Sequence, residues 1–267
     1  MPPAAASNLG QRVARIVARW LVGARHVHTA SVPADLAQLR ACLRPGDVLL
    51  VEGHSRFSTA IKYLTQSTWS HAALYVGPRP DLAGAGGAGH GGGGEPPCLV
   101  EADTVEGVRA VGLSQYAGLH TRVCRAASLT PDDATRVVAH AVARIGHRYD
   151  LRNIVDLARY LLPTPAVPLR WRRRLLVLGS CDPTRAICST LIAQAFESVH
   201  YPILPIVEQR PRGDPLCPGC VDEILHVRHH SLYVPRDFDV SPYFGIVKPT
   251  LAGGFDHRRL QWHEAAA

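Results

Sequence analysis

No stretch of this 267-residue chain reaches the ~18 apolar residues that a membrane-spanning helix needs. A secretory signal is not expected either, because Arg12, Arg15, Arg19 and Arg25 break up the region that should be an uninterrupted apolar run. The sequence has no RNA-recognition signature, no zinc-finger spacing and no basic stripe interleaved with aromatics. Nucleic acid is therefore not an expected partner, although a formal net charge of +7 favours acidic ones. The run Gly84 to Gly94 lacks the Lys and Ser/Thr of a phosphate loop, which excludes nucleotide binding of that kind. No internal repeat is visible. Seven cysteines, an odd number, argue against a complete disulfide framework, which a chain of this size seldom needs. The expectation is a cytoplasmic protein with mostly buried thiols, free in solution or peripheral on the inner membrane face.

What is present is an ordinary globular balance, 46% hydrophobic and 19% charged, enough for one large domain with a real core. Residues 1–30 stand apart. Val13, Ile16, Val17, Trp20 and Leu21 recur at helical spacing with arginines on the other face, a short basic amphipathic helix. Its apolar stripe packs on the domain in one reading; in the other, residues 11–25 lie on an anionic membrane surface. Residues 31–250 are expected to form the main domain, interrupted by a glycine-rich loop at 83–94 and a Cys/Pro-rich loop at 202–220, with a tail at 251–267.

Within that domain, Asp35 to Cys42 and Ser58 to Thr65 read as short helices, and Val48 to Glu52 as a buried strand. Trp69 to Gly77 and Cys98 to Ala102 read as strands that pair across the glycine-rich loop. Val108 to Val111 and Thr121 to Arg125 are further candidate strands. Pro131-Asp132-Asp133 opens a helix that Gly146 ends. Asn153 to Leu162 is another helix, stopped by Pro163 and Pro165, and a basic patch surrounds Trp171. Ile187 to Val199 is a core-facing helix. The chain is expected to close with a short helix near Val221 to Val227, a strand at Ser231 to Val234 and a polar end.

Three residues carry potential chemistry. His71 lies in an apolar strand and, by alternation, shares a face with Ala73 and Tyr75, whose small neighbour leaves room for substrate. Taken alone, it reads better as a core histidine bonded to a carbonyl. Cys188 opens the helical run Cys188-Ser189-Thr190-Leu191-Ile192, where unpaired backbone N–H groups favour the thiolate and can hold an oxyanion. The bland alternative is an inert buried thiol. Glu101 lies on the strand after His71 and could bind the far ring nitrogen, the orienting role of a triad's third member, or be merely solvated.

The order of these stretches resembles a known family. Gly46-Asp47-Val48-Leu49-Leu50, Ser58-Thr59-Ala60-Ile61, Thr65-Gln66-Ser67 and Trp69-Ser70-His71-Ala72-Ala73-Leu74-Tyr75 come first. Val100-Glu101-Ala102, Gly146-His147-Arg148-Tyr149-Asp150, Ile187 to Ile192 and Pro235-Arg236-Asp237-Phe238 follow. Over about residues 44 to 250 the chain is similar to the circularly permuted papain-like amidases, the YiiX/YebB-like branch of the NlpC-type cysteine hydrolases. The His strand precedes the Cys helix, the reverse of ordinary papain-like enzymes. The resemblance implies an α+β fold, an antiparallel sheet packed against the helix that bears the cysteine. It also implies Cys188 as nucleophile, His71 as base, Glu101 as orienting group, and Tyr149 as a substrate or oxyanion residue. Thr190 stands where the family often has Glu, a change of local charge.

The implied activity is hydrolysis of amide or ester bonds through a thioester, with no cofactor and no metal. The substrate is a peptide or peptidoglycan fragment in the first reading. The related lecithin–retinol acyltransferase branch makes lipid acyl hydrolysis or transfer an alternative, and a non-catalytic membrane-associated module is a third. Cys217-Pro218-Gly219-Cys220 leaves zinc, a redox dithiol and a structural pair open.

Overall fold

The computed structural model describes residues 35–84, 95–103, 106–147, 187–213, 216–217 and 219–259. The expected helices at 1–30 and at Asn153 to Leu162, the patch around Trp171 and the residue Tyr149 lie outside the described residues. In chain order the main elements are α1 (Leu36–Cys42), β1 (Val48–Val51), α2 (Arg56–Thr65), β2 (His71–Tyr75), β3 (Leu99–Asp103), β4 (Gly107–Val111) and β5 (Thr121–Ala126). Then come α3 (Pro131–Val142), α4 (Ile187–Glu197), β6 (Ile206–Pro211), β7 (Val221–His226), α5 (Pro235–Val240), β8 (Phe244–Val247) and α6 (Pro249–Ala252). Among the described residues no helix is long and apolar enough to cross a membrane.

Local chemistry sets the ends of these elements. Asp35 caps α1 by accepting the Ala37 N–H at 2.8 Å. Thr130 caps α3 by accepting from Asp133 N–H at 3.1 Å, with Pro131 at the first helical position, where its missing N–H costs nothing. The helix ends at Val142, four residues before Gly146, which takes a left-handed φ of 88° and donates to Val108 O.

Six strands form one antiparallel sheet in the order β4-β3-β2-β1-β5-β8. β1 reads Val-Leu-Leu-Val and is buried on both faces, which suits its place between β2 and β5. On one face Leu50, Ala72, Leu74 and Val100 pack against Val137 and Ala141 of α3 and Leu191, Ile192 and Phe196 of α4. On the other, Leu49, Ala73, Tyr75 and Leu99 pack against Leu39 of α1 and the 3-10 turn Leu113–Tyr116. The α+β architecture, with the sheet laid on the Cys188 helix, is as the sequence implies.

Entry into β1 is fixed by a buried carboxylate. Asp47 accepts from Arg44 N–H at 2.8 Å and from Arg125 Nε and Nη2 at 2.8 and 2.7 Å, tying the turn to β5. Asp47→Ala strands a partly buried guanidinium and should cost about 3 kcal/mol, read as a lower urea midpoint at unchanged slope.

Three readings of the C-terminal part are corrected. Val221–His226 is a strand, not a helix; it pairs with β6 in a separate two-stranded sheet, so the segment 202–220 is not all loop. Ser231 falls in a 3-10 turn, His230–Leu232, with Pro235 opening α5 directly after, so no strand forms there. The chain then returns as β8 to pair with β5. Cys217 and Cys220 are joined as a disulfide.

Candidate active site

β2 and β3 are neighbours, with Ala73 opposite Glu101. A strand's side chains alternate, so Glu101 and His71 fall on one face two residues apart in register. His71 is the first residue of β2, at the end of the sheet. Cys188 is the second residue of α4, which packs on the opposite face and begins at that same end. The ring at the rim is thus reachable from both sides.

His71 Nε2 donates to Glu101 Oε2 at 2.6 Å. The other ring nitrogen is left free of Glu101, and the Cys188 thiol lies near enough to the ring for the two to interact electrostatically. Glu101 is nearly fully buried and saturated: Tyr116 OH donates to Oε2 at 2.5 Å and Arg109 Nε to Oε1 at 2.8 Å. Arg109 sits opposite Glu101 on β4 and also donates to Glu106.

These contacts polarise the site. Burial opposes charge on all three groups, and their mutual attraction outweighs it. Burial would lower the His71 imidazolium, but the Cys188 thiolate and the Glu101 carboxylate raise it well above the usual 6.5. Burial would raise the Cys188 thiol, but His71, the Ala72 N–H and the Ser189 hydroxyl bring it below the usual 9.0. Burial would raise Glu101, but His71, Arg109 and Tyr116 hold it at about 2. Tyr116 goes well up, through burial and the Glu101 charge, and so stays a donor. The other described free thiols behave oppositely: burial pushes Cys98 up to about 11 and Cys124 up to about 12, and raises Cys42. The arrangement can hold a thiolate–imidazolium pair oriented by a permanent carboxylate.

The pair opens on a pocket of about 390 Å³. Its lining includes Ser55, Ser58, Ser70, His54, Gln115 and Asp103, beside the apolar Val51, Ile61 and Leu119. Among the described residues no group of three or more His, Cys, Asp or Glu is arranged to hold a metal ion.

Of the residues singled out from the sequence, His71, Glu101 and Cys188 are brought together; Tyr149 lies outside the described residues. Arg109, Tyr116 and His54 were not anticipated. Arg109 had a signal, being the single charge within Val108-Arg109-Ala110-Val111 and directly across the hairpin from Glu101.

Residues 42–160 match the model of a family described as permuted papain-like amidase enzyme, YaeF/YiiX, C92 family. That stretch contains His71 and Glu101 and ends before Cys188. The crystal structure of metalloprotein yiiX from Escherichia coli O157:H7, DUF1105, is similar at 15% identity over 77% of this chain and 96% of that one, with a TM-score of 0.42. No curated protein matches the sequence.

Proposed function

We propose, for a chain whose residues 42–160 belong to the permuted papain-like amidase family, that it is a cysteine hydrolase of amide bonds with Cys188 as nucleophile, His71 as proton carrier and Glu101 as orienting group. One observation carries this reading: a single imidazole, bonded at one nitrogen to a buried carboxylate, lies close enough to a buried thiol for each to shift the other's proton affinity.

In this mechanism the resting pair is thiolate and imidazolium. The Cys188 sulfur attacks the amide carbonyl carbon, and the C=O electron pair moves to oxygen. As the tetrahedral intermediate collapses, the C–N bond breaks and His71 gives its proton to the departing amine, leaving a thioester. His71, now neutral, takes a proton from water as that water attacks the thioester. Collapse expels the Cys188 thiolate, releases the carboxylic acid and restores the imidazolium. Glu101 holds the ring in one tautomer and stabilises its charge; Arg109 and Tyr116 act on Glu101 and are positioning residues. Tyr149 would serve the oxyanion or the substrate. The hydroxyl, imidazole and amide side chains in the pocket lining suit a peptide or peptidoglycan fragment.

The test is competitive alkylation. Iodoacetamide at pH 7 should label Cys188 at least about 100-fold faster than Cys98 or Cys124, as read by peptide mapping over time, and Cys188→Ala should abolish amide hydrolysis. Labelling of Cys188 no faster than the other thiols would sink the assignment.

A further inference from the structure

The pocket that holds His71 and Cys188 has a wall of hydroxyls that the proposed chemistry does not use. Ser55, Ser58 and Ser70 all line it. Ser58 and Ser70 are buried, and Ser55 is half-buried, so its oxygen is the one most open to an occupant.

A hydroxyl has one hydrogen to give and two lone pairs to receive. Ser55 Oγ accepts the Ser58 N–H at 3.0 Å and lies 2.8 Å from Ser58 Oγ. The bond between the two oxygens uses one of their two hydrogens. The other has no acceptor among the described residues. If Ser58 is the donor, both lone pairs of Ser55 are filled, and Ser55 can only donate into the pocket. The reverse leaves the spare hydrogen on the buried Ser58, at a cost of ~1–3 kcal/mol unless an occupant accepts it. In both arrangements the pair offers a donor, and the bond behind it polarises that donor.

The pair is held in register with the reacting groups. Ser58 Oγ packs on Gly53, where an added Cβ would sit 2.3 Å from it and 3.0 Å from Ser70 Oγ. Gly53 N–H donates to Ser70 Oγ at 2.9 Å, and Ser70 directly precedes His71. A donor fixed in this way can place a substrate relative to the thiol.

The acceptor that fits is neutral. Among the described residues Arg109 is the one Lys or Arg in the lining, and it is already bonded to Glu101 and faces Asp103 at 3.8 Å. The His71 ring is bonded to Glu101 as well. No unmatched Lys or Arg is there to draw in a carboxylate, whereas an amide carbonyl needs only a donor. A pocket of about 390 Å³ spans roughly three residues of extended chain, so a carbonyl at Ser55 belongs to an amide close to the scissile one.

We propose that the Ser55–Ser58 hydroxyl pair determines specificity by donating a hydrogen bond to a second, neutral amide carbonyl of the substrate, so that the substrates are chains of amides rather than isolated amides. The proposal rests on the function proposed above, but it fails separately from it.

Two uncharged alkylating reagents test it: N-ethyl-iodoacetamide, with one amide, and N-iodoacetylglycinamide, which carries a second amide in place of the methyl group. Each is followed at Cys188 by peptide mapping, and the ratio of the two rates is compared with the same ratio on free glutathione. The unsubstituted protein should favour the diamide about fivefold or more over the glutathione ratio, the scale of one hydrogen bond. Ser55→Asp keeps an oxygen to cap α2 but has no hydrogen to give, so its ratio should fall to the glutathione value. Ser55→Thr keeps the hydroxyl and should keep the preference. A glutathione-like ratio in the unsubstituted protein overturns the proposal. So does an undiminished ratio in Ser55→Asp, including one in which both rates fall together, since that marks a structural role. If Cys188 proves no more reactive than Cys98, the nucleophile assignment fails, while the ratio, still read on the slow thiol, continues to decide the role of Ser55.

Discussion

His71→Ala is expected to lower the rate at which iodoacetamide alkylates Cys188 at pH 7 by about 100-fold or more, and to change the shape of its pH dependence. The argument compares thiols within this one protein. Cys188 is as buried as Cys98, at 5% and 6% exposed. Burial pushes Cys98 up to about 11 and Cys124 up to about 12. Among the described thiols Cys188 alone goes below 9.0, and the largest cause opposing its burial is the His71 charge. Without the imidazolium, Cys188 should titrate as a buried thiol does. At pH 7 a thiol near 11 is ionised in about one molecule in 10⁴, against one in about 10² for an ordinary one.

The pH dependence carries the sign. In the unsubstituted protein the pair is zwitterionic between the lowered Cys188 step and the raised His71 step. Alkylation should rise through the first, hold a plateau, and change again only where His71 gives up its proton. In His71→Ala the plateau should vanish and a single limb rise above pH 9. A variant that keeps the neutral-pH plateau would mean that the thiolate is stabilised by something other than His71. Circular dichroism of the variant separates loss of the cation from loss of the fold; His71 is a quarter exposed, and its removal opens no sealed cavity.

Much of this was legible before any coordinates. The pairing of His71 with a carboxylate follows from two apolar strands and a loop between them, because period-two alternation assigns faces without tertiary information. The place of Cys188 near a helix start follows from where the apolar run begins. What could not be read was the layer behind Glu101. Arg109 reaches Glu101 only because β3 and β4 pair with those two residues opposite, and register is a property of the folded hairpin. Tyr116 comes from a 3-10 turn whose apolar face gave no periodic signal.

The C-terminal misreading has a different cause. Val221, Ile224 and Leu225 are spaced as on a helix, and β6 with its Glu-Gln-Arg-Pro stretch does not announce a strand. Pairing between the two elements, with the Cys217–Cys220 link in the turn between them, decides the conformation against local propensity. β8 has four residues, one of them glycine, too short for an alternation to register.

The second large effect is expected at Glu101, where stability and reactivity should separate. Glu101→Ala removes the acceptor of three donors at once: His71, Arg109 and Tyr116. Arg109 keeps Glu106 and, at 3.8 Å, Asp103, but this largely buried cation loses its Glu101 partner, and the Tyr116 hydroxyl loses its acceptor. Removing one member of such a buried set costs about 3–5 kcal/mol. Glu101→Gln keeps an acceptor oxygen and the shape while removing the charge, so its stability loss should be clearly smaller. Both variants should nevertheless lose hydrolysis by a factor of about 10² to 10⁴, the range for a triad's orienting member. Without the carboxylate the His71 imidazolium is less favoured, so the alkaline end of the Cys188 alkylation plateau should move to lower pH in Glu101→Gln. Acid titration adds a check. A carboxyl at about 2 in the folded chain and at the usual 4.5 when unfolded contributes about 3 kcal/mol that is fully present above 4.5 and is lost as pH falls through 2. Chemical denaturation between pH 5 and 2 should show that loss in the unsubstituted protein and a shallower one in Glu101→Gln. Equal acid sensitivity in the two proteins would mean that Glu101 does not carry the buried negative charge on which His71 depends.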